Sequence, residues 1–362
     1  MRVALVGGIF GKDSAYQAAI TSAPEITLAD GLAKRGHQVV RLGHDDRLPD
    51  DVEIIHIHHF GSALLRAKMV SRTPIVFTLH GSVNHPPIAR RMTIATRVSD
   101  AFVALTPEEQ SLLEERNVRS VFIPNAVDPE IFFPEVHKVR GEHLRILFVG
   151  QRTRAKGYVT LLNALSRTND LLTVISHVEV GRETDELNRL ESSLNLGGRI
   201  THLWRQPPAV VAEEMRRADV LVLPSFHEAL PTVVTEGLFC GLPIVATDLQ
   251  GIRWQLDGRG LLIEPGSTDG LELALAKLRD NYETFRREAT NYVQVARTRF
   301  AVDSMVEAHA RLYDELLQTT SARSLHGPVV RSGLAATDTA VRAILRLMRH
   351  ARRAAGQVRL PR

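Results

Sequence analysis

Residues 220–246 read VLVLPSFHEALPTVVTEGLFCGLPIVA, and this stretch decides the fold. Its first four residues are all apolar, without the alternation of a half-exposed strand. That pattern suits a parallel strand covered on both faces. Residues 224–230 read as a loop. Pro231 suits the first helical position, where its missing N–H costs nothing. The helix is expected to run to about Cys240, and Gly241 and Pro243 supply its stop before a second buried strand from Ile244. Strand, loop, helix and strand in this order make one unit of a parallel α/β sheet.

The same alternation extends outward in both directions. Upstream, continuous apolar runs predict strands at residues 2–6, 38–42, 52–57, 74–79, 101–105 and 120–123. Ser22-Ala23-Pro24-Glu25 has the form of a capping box and is expected to open a helix through Lys34, which Gly36 ends. Polar residues 134–142 interrupt the pattern and read as the interdomain linker. The alternation then restarts, with strands expected at 144–149, 172–175, 200–203, 220–223 and 244–246. Helices are expected at 158–166, 185–194, 209–216 and 268–279. Two successive sets of βα units predict two doubly wound, Rossmann-like domains, residues 1–141 and 142–302. Ligands bind such sheets beyond the carboxyl ends of the strands, so a cleft between the domains is the expected site.

The helix opening after Pro231 carries chemistry. Amides near residues 230–234 (Leu230, Pro231, Thr232 and Val233 around the turn) and the helix dipole make an anion site suited to a diphosphate. Glu228 lies in the preceding loop and Glu236 about one turn into the helix. Carboxylates there can hold sugar hydroxyls on either side of a phosphate. The same two residues can equally be a solvated loop acid and a first-turn acid favoured by the dipole.

The E-x7-E spacing of Glu228 and Glu236, in the frame ADVLVLPS…E…E…CGLPIVAT, resembles the retaining glycosyltransferases of family 4, which have the GT-B fold. Four further segments resemble that family in its order: PIVFTLHG with His80, IPNAVDPEIFFP at 123–134, FVGQRTRAKG at 148–157 and RGLLIEPG at 259–266. The likeness spans nearly all of residues 1–317. It implies that Glu236 binds the nucleotide ribose and Glu228 contacts the transferred sugar. It also implies that Lys156 binds the donor phosphates and His80 lies near the reacting centre. Fixed cations stabilise the departing diphosphate without rearrangement, and such enzymes generally work without a bound metal. No cofactor or metal ligand set is therefore expected, and the nucleotide sugar is a substrate. The family's arginine after the loop glycine is Gln151 here, so Arg152, one place on, is expected to make that phosphate contact. Gly8 is the expected approach of the first domain to the donor, although Gly7, Gly8 and Gly11 lie closer to the strand than the family's glycine pair. Ala126 stands where the family has glycine. The helix at 303–317 resembles the family's final segment, which crosses back to the first domain.

Other signals carry less. Gly7 to Lys12 lacks the spacing and the Ser or Thr of a P-loop, and no dinucleotide fingerprint is present. His56, His58 and His59 invite a metal reading, but no further ligand follows at a telling spacing, so a packed or cleft-lining role is expected. Cys240, the single cysteine, excludes an intramolecular disulfide and reads as a small buried hydrophobe.

The net charge of +4 is unevenly spread. Residues 321–362 hold nine arginines and one acid, Asp338, which leaves −4 for residues 1–320. A mildly acidic body argues against a nucleic-acid partner. Within the tail, Val341, Ile344, Leu345 and Met348 share a helical face beside Arg342, Arg346, Arg349 and Arg353. This predicts an amphipathic helix on an anionic membrane surface, with a solvated extension as the alternative. The N-terminus reads as a buried strand, not as a signal peptide, and a cytoplasmic enzyme at or near the inner membrane face is expected.

The expected function is transfer of a sugar, with retention, from a nucleotide-sugar donor to a polysaccharide, glycolipid or small-molecule acceptor. First-domain loops at 8–21 and 82–94 are expected to choose that acceptor. Alternatives on the same fold are a sugar phosphorylase, a sugar-nucleotide epimerase and a catalytically silent nucleotide-sugar-binding subunit.

Overall fold

The computed structural model describes residues 1–18, 23–81, 95–135, 141–176 and 182–323. The basic tail beyond these, with its expected amphipathic helix, lies outside the described residues, as do Ser22 and the whole loop at 82–94.

The first sheet has strands β1 (Arg2–Val6), β2 (Gln38–Leu42), β3 (Ile54–His58), β4 (Ile75–Thr78), β5 (Ala101–Ala104) and β6 (Ser120–Phe122). All pair in parallel, in the order β2-β1-β3-β4-β5-β6. Its helices are α1 (Ser14–Ala18), α2 (Pro24–Lys34), α3 (Ser62–Val70) and α4 (Pro107–Glu115). The second sheet has β7 (Arg145–Val149), β8 (Leu171–Ser176), β9 (Ile200–Trp204), β10 (Val220–Leu223), β11 (Ile244–Thr247) and β12 (Leu261–Ile263). These are also parallel, in the order β12-β11-β10-β7-β8-β9. Helices α5 (Tyr158–Leu165), α6 (Arg182–Ser193), α7 (Pro208–Arg217), α8 (Thr232–Phe239), α9 (Gln250–Leu256), α10 (Thr268–Asp280) and α11 (Tyr282–Arg299) cover it, and α12 (Val302–Arg323) follows.

Alternate residues of the central strands face opposite layers. Val3 and Leu5 join one apolar cluster and Ala4 and Val6 the other. Likewise Leu147 and Leu221 face one layer, Ile146 and Val220 the opposite one. Burial on both faces is what the unbroken apolar runs encode. Each fully buried Leu, Ile or Phe side chain contributes roughly 1.5–3 kcal/mol relative to exposure.

Sheet order fixes the switch points. In each sheet the chain winds one way from its first strand and then reverses, and the crevice opens between the two strands where that happens. These are β1 and β3 in the first sheet, β7 and β10 in the second. The loops after β3, β7 and β10 carry His59, Lys156 and Glu228, and His80 follows the neighbouring β4.

The chain changes domain earlier than the polar stretch at 134–142. Ile123 and Ala126 are buried in the first-domain core, whereas Val127 and Phe132 are buried with Leu147, Phe239 and Phe300 in the second. The apolar pair Val127 and Phe132 therefore draws the chain across before the linker-like composition begins. The return is equally sharp. Phe300 belongs to the second core, but Met305, Val306, Tyr313 and Leu316 of α12 pack into the first. Helix α12 lies directly on α2, where a Cβ on Gly31 would collide with Val306. The two crossings touch, because the Val127 amide donates to the Phe300 carbonyl at 3.4 Å.

Two local expectations need correction. Helix α2 begins after Ala23, with no side-chain cap, and Glu25 does not complete a capping box. Its carboxylate turns inward to His59 instead. Pro231 is the residue before α8 rather than its first helical position, with φ −66° and ψ 120°. Strand β12 lies in the segment read only as a motif, and helices α9 and α11 follow stretches without a clear sequence signal.

Candidate active site

A cleft of about 450 Å³ lies between the domains, at the carboxyl ends of the switch-point strands. From the second domain it is lined by Gly150, Gln151, Lys156, Glu228, residues 229–233 and Glu236. From the first come Pro24, His59, His80, Leu105 and Asn125. The structure thus brings together Glu228, Glu236, Lys156, His80, Leu230, Pro231, Thr232 and Val233.

Lys156 and Glu228 arrive from two loops. The loop after β7 and the loop after β10 are tied by a hydrogen bond from the Phe226 amide to the Ala155 carbonyl, 2.9 Å. Gly157 makes this approach possible. Its φ is +70°, and a Cβ there would sit inside the van der Waals shell of the Pro224 carbonyl. Lys156 Nζ then meets Glu228 Oε1 at 2.7 Å, with both side chains partly exposed to the cleft.

Helix α8 starts at the same place. Thr232 and Val233 supply first-turn amides, which have no intrahelical acceptor, and both residues line the cleft. The Val234 amide is engaged by the Pro231 carbonyl at 3.1 Å, so the expected amide site narrows to the first two residues. Gln255 steadies this turn by donating to the Pro231 carbonyl at 3.0 Å, together with a 2.9 Å bond to Thr235 Oγ1. Asn125, carried by the crossing segment, reaches the Leu230 carbonyl at 3.3 Å and joins the first domain to the loop. Glu236 is almost fully buried, at 1% exposure, yet still reaches the cleft lining.

Two expected donor contacts are not brought here. Arg152 is buried inside the second domain, paired with Glu191 at 3.2 Å, hydrogen-bonded to Asn188 and stacked over Tyr158. The chain turns tightly at Arg152, where the Thr153 amide donates to the Gln151 carbonyl at 2.9 Å, so Gln151 faces the cleft and Arg152 does not. Gly8 precedes the short turn Ile9–Gly11, is exposed and stands outside the cleft lining.

The first-domain wall holds a group of imidazoles. His80 Nε2 and His58 Nδ1 share a hydrogen bond of 2.8 Å, His56 stacks on His58 at 4.3 Å, and the His59 ring lies 4.7 Å from that of His80. His56 is packed rather than cleft-lining, held by Tyr313 and Thr78 at 2.7 Å each. Burial pushes His80 down to about 3 and His58 well below the ordinary imidazole range, so both are neutral near neutral pH. His59, the residue after β3, has φ +63°, a left-handed conformation that aims it across to Glu25, 3.2 Å away. Burial pushes the Glu25 carboxyl up, but the His59 hydrogen bond and the surrounding imidazoles outweigh it and keep the group ionised. His59 lines the cleft, as the packed or cleft-lining expectation for the histidine run allows, but sequence reasoning missed its partner Glu25, 34 positions away along the chain.

A second cavity of about 650 Å³ adjoins the first and shares Glu228 and Ala229 with it. It is lined by Glu108, Glu109 and Glu115 of α4 and by His227, Asp248 and Arg253. Cys240 is buried at the end of α8, as expected, and burial pushes its thiol up to about 12. Among the described residues no helix is long and apolar enough to cross a membrane.

Two parallel six-stranded Rossmann-like domains whose switch points face one cleft define the GT-B architecture. Solved structures share it. A sucrose-phosphate synthase from Thermosynechococcus elongatus matches with TM-score 0.76 and 18% identity, over 88% of this chain and 99% of that one. HepE of Anabaena, in complex with UDP and glucose, matches with TM-score 0.70 and 17% identity, over 87% and 100%. Two family models match in succession: Glycosyltransferase Family 4 over residues 47–131, and Glycosyl transferases group 1 over residues 130–296. The chain belongs to the group 1 glycosyltransferases of family 4. Among curated relatives, an uncharacterized glycosyltransferase of Methanocaldococcus jannaschii is 28% identical over 74% of this chain and 76% of its own length. A D-inositol 3-phosphate glycosyltransferase of Paenarthrobacter aurescens is also 28% identical, over 64% of this chain and 65% of its own. Two further relatives are matched over less than half of their length, 43% and 49%.

Proposed function

We propose that this glycosyltransferase takes its sugar from a nucleoside diphosphate sugar and transfers it with retention of anomeric configuration. The observation that carries the reading is the Lys156–Glu228 ion pair beside the start of α8, in a cleft that also holds Glu236. The two α8 amides and Lys156 form a positive surface for the diphosphate. Glu236, one turn further, is placed for ribose hydroxyls, and Glu228 for the transferred sugar. HepE holding UDP and glucose on the same fold supports a uridine donor as the first to try. Lys156 and the α8 amides, placed at the phosphates, support transfer without a metal. His80 faces the donor loop from the first domain and stands where an acceptor hydroxyl would approach, and the leaving phosphate can take the acceptor's proton. The acceptor enters from the cavity on the far side of Glu228 and is a polysaccharide, glycolipid or small polyol. The basic tail brings the enzyme to an anionic cytoplasmic membrane surface bearing such an acceptor.

The deciding experiment is calorimetry with UDP, GDP and ADP, followed by product analysis with the matching nucleotide sugars. Saturable binding of one diphosphate and a product of unchanged anomeric configuration support the proposal; inversion would overturn retention, and phosphate-dependent cleavage would point to a phosphorylase. The inward turn of Arg152 favours one second reading, a nucleotide-sugar-binding subunit without turnover. Measurable transfer excludes it.

A further inference from the structure

The first-domain wall contains more than the sugar-transfer reading uses. Glu25 from α2, His58 from the end of β3 and His80 just beyond β4 each place one ligand atom within 4.8 Å of the others. Three different elements converge to do this, although the residues are 33 and 22 positions apart in sequence. Glu25 is 4% exposed and His58 2%, which is deep for a carboxylate beside two neutral rings. The facing ring nitrogens, His58 Nδ1 and His80 Nε2, stand 2.8 Å apart, whereas the outer ones, His58 Nε2 and His80 Nδ1, are buried with no hydrogen-bond partner among the described residues.

We propose that Glu25, His58 and His80 bind one divalent transition-metal ion of the zinc class. Two imidazole nitrogens and one carboxylate oxygen are ligands of the type that tetrahedral zinc takes at about 2.0–2.2 Å, leaving a fourth position for water. Ligands at that radius stand about 3.3–3.5 Å apart, so the group closes on the ion by roughly 1 Å. The His58–His80 contact opens by a smaller amount. The hydrogen bond between His58 Nδ1 and His80 Nε2 gives way to two metal bonds, and its proton moves to the outer nitrogen of its own ring. A carboxylate this deeply buried calls for a positive partner, and a divalent ion supplies one. Magnesium is disfavoured, because it prefers an octahedral oxygen set. His59, already 3.2 Å from Glu25, orients the carboxylate from the cleft side. The ion would tie α2 to the ends of two strands and take His80 out of the cleft. If His80 serves sugar transfer as proposed above, zinc inhibits that transfer; ion binding itself does not depend on that role.

The test uses the untagged full chain, stripped with a chelator, and titrates Co²⁺ by visible absorption and Zn²⁺ by calorimetry. The expected result is one ion per chain with the intense bands of four-coordinate cobalt, displaced by zinc and not by a large excess of magnesium. Glu25→Gln, His58→Gln and His80→Gln each weaken binding at least tenfold, and Glu25→Asp weakens it less than Glu25→Gln. His202→Gln, at an exposed His202–Glu191 pair on the other domain, leaves it unchanged. A zinc-induced rise in melting temperature, absent from the variants whose metal-free melting matches the parent, separates lost ligation from lost folding. No bound cobalt in the parent, or equal affinity in folded Glu25→Gln and His80→Gln, overturns the proposal.

Discussion

Lys156 and Glu228 meet at 2.7 Å across two loops of the second domain, and the pair stands directly in the cleft. A lysine held this way is fixed in place but not committed, because an incoming diphosphate offers a denser negative charge than one carboxylate. On the proposed reading, the pair opens or becomes shared when donor binds. Lys156→Met should weaken nucleoside diphosphate binding roughly 10–100-fold, corresponding to about 1.5–3 kcal/mol for a charge-assisted contact. Glu228→Gln should leave diphosphate affinity equal or tighter, since the lysine loses its competitor, while turnover falls. Calorimetry for binding and a transfer assay for turnover check the split; equal losses of affinity in both variants would contradict it.

Glu236 differs from Glu228 in burial. At 1% exposure its carboxylate is held in the α8 turn, and only the atoms reaching the cleft can meet a ligand. Glu236→Ala should raise the dissociation constant for donor by roughly 10–100-fold. Turnover at saturating donor should change less than in Glu228→Ala. Steady-state kinetics over a wide donor range measures this, and a fall in saturated turnover with unchanged KM would reverse the assignment.

Gly157 is the steric condition for the Lys156–Glu228 contact. With φ +70° and the Pro224 carbonyl packed against its Cα, it admits no side chain without separating the two loops. Gly157→Ala should cost about 2–4 kcal/mol of stability and weaken diphosphate binding with it. Chemical denaturation and calorimetry on the same preparation test both; a variant of parental stability would show that the loops can part freely.

Most of this architecture was legible in the sequence because strand burial on both faces leaves a strong local mark. The runs at Val3–Val6 and Val220–Leu223 are apolar at every position, and the structure uses each face. Glu228 and Glu236 drew notice from their places beside the α8 start, and Lys156 only through the family resemblance; the structure places all three on one cleft. What failed depended on direction rather than composition. Arg152 and Gln151 are neighbours in a tight turn, and Arg152 is drawn away from the cleft by Glu191 and Asn188 on α6. The domain crossing was misplaced for a similar reason: polar composition at 134–142 was more visible than the two buried anchors Val127 and Phe132 ahead of it. Glu25 was missed because its pairing with His59 exists only after α2 and β3 have packed.

The arginine-rich tail carries a prediction of its own from sequence. Four arginines beside an apolar stripe, at about 1 kcal/mol each near an anionic surface, suffice for measurable salt-sensitive binding. The full chain should sediment with liposomes containing anionic lipid, less so at high salt, whereas a chain ending at Thr320 should stay in solution. Equal sedimentation of both would remove the tail from membrane docking.

Glu109 gives the body of the enzyme a stability profile that falls with pH. It sits in the first turn of α4, where its amide donates to Thr106 Oγ1 at 3.1 Å and its Oε2 accepts from the Leu105 amide at 2.8 Å. Burial pushes its carboxyl from the ordinary 4.5 up to about 7, although the Leu105 bond pulls the other way. Below pH 4.5 both the folded and unfolded chains hold this proton, and it contributes nothing to the pH dependence. Between 4.5 and 7 the unfolded chain loses the proton first, so stability declines as pH rises. Above 7 the decline is complete, at about 3 kcal/mol for a shift of this size. Glu109→Gln keeps an oxygen for the Leu105 amide but cannot ionise. Its unfolding free energy should therefore vary less than the parent's from pH 5 to pH 8 and exceed it at pH 8. Denaturant titrations at a series of pH values measure both, and parallel curves for parent and variant would show that Glu109 ionises as an ordinary surface acid.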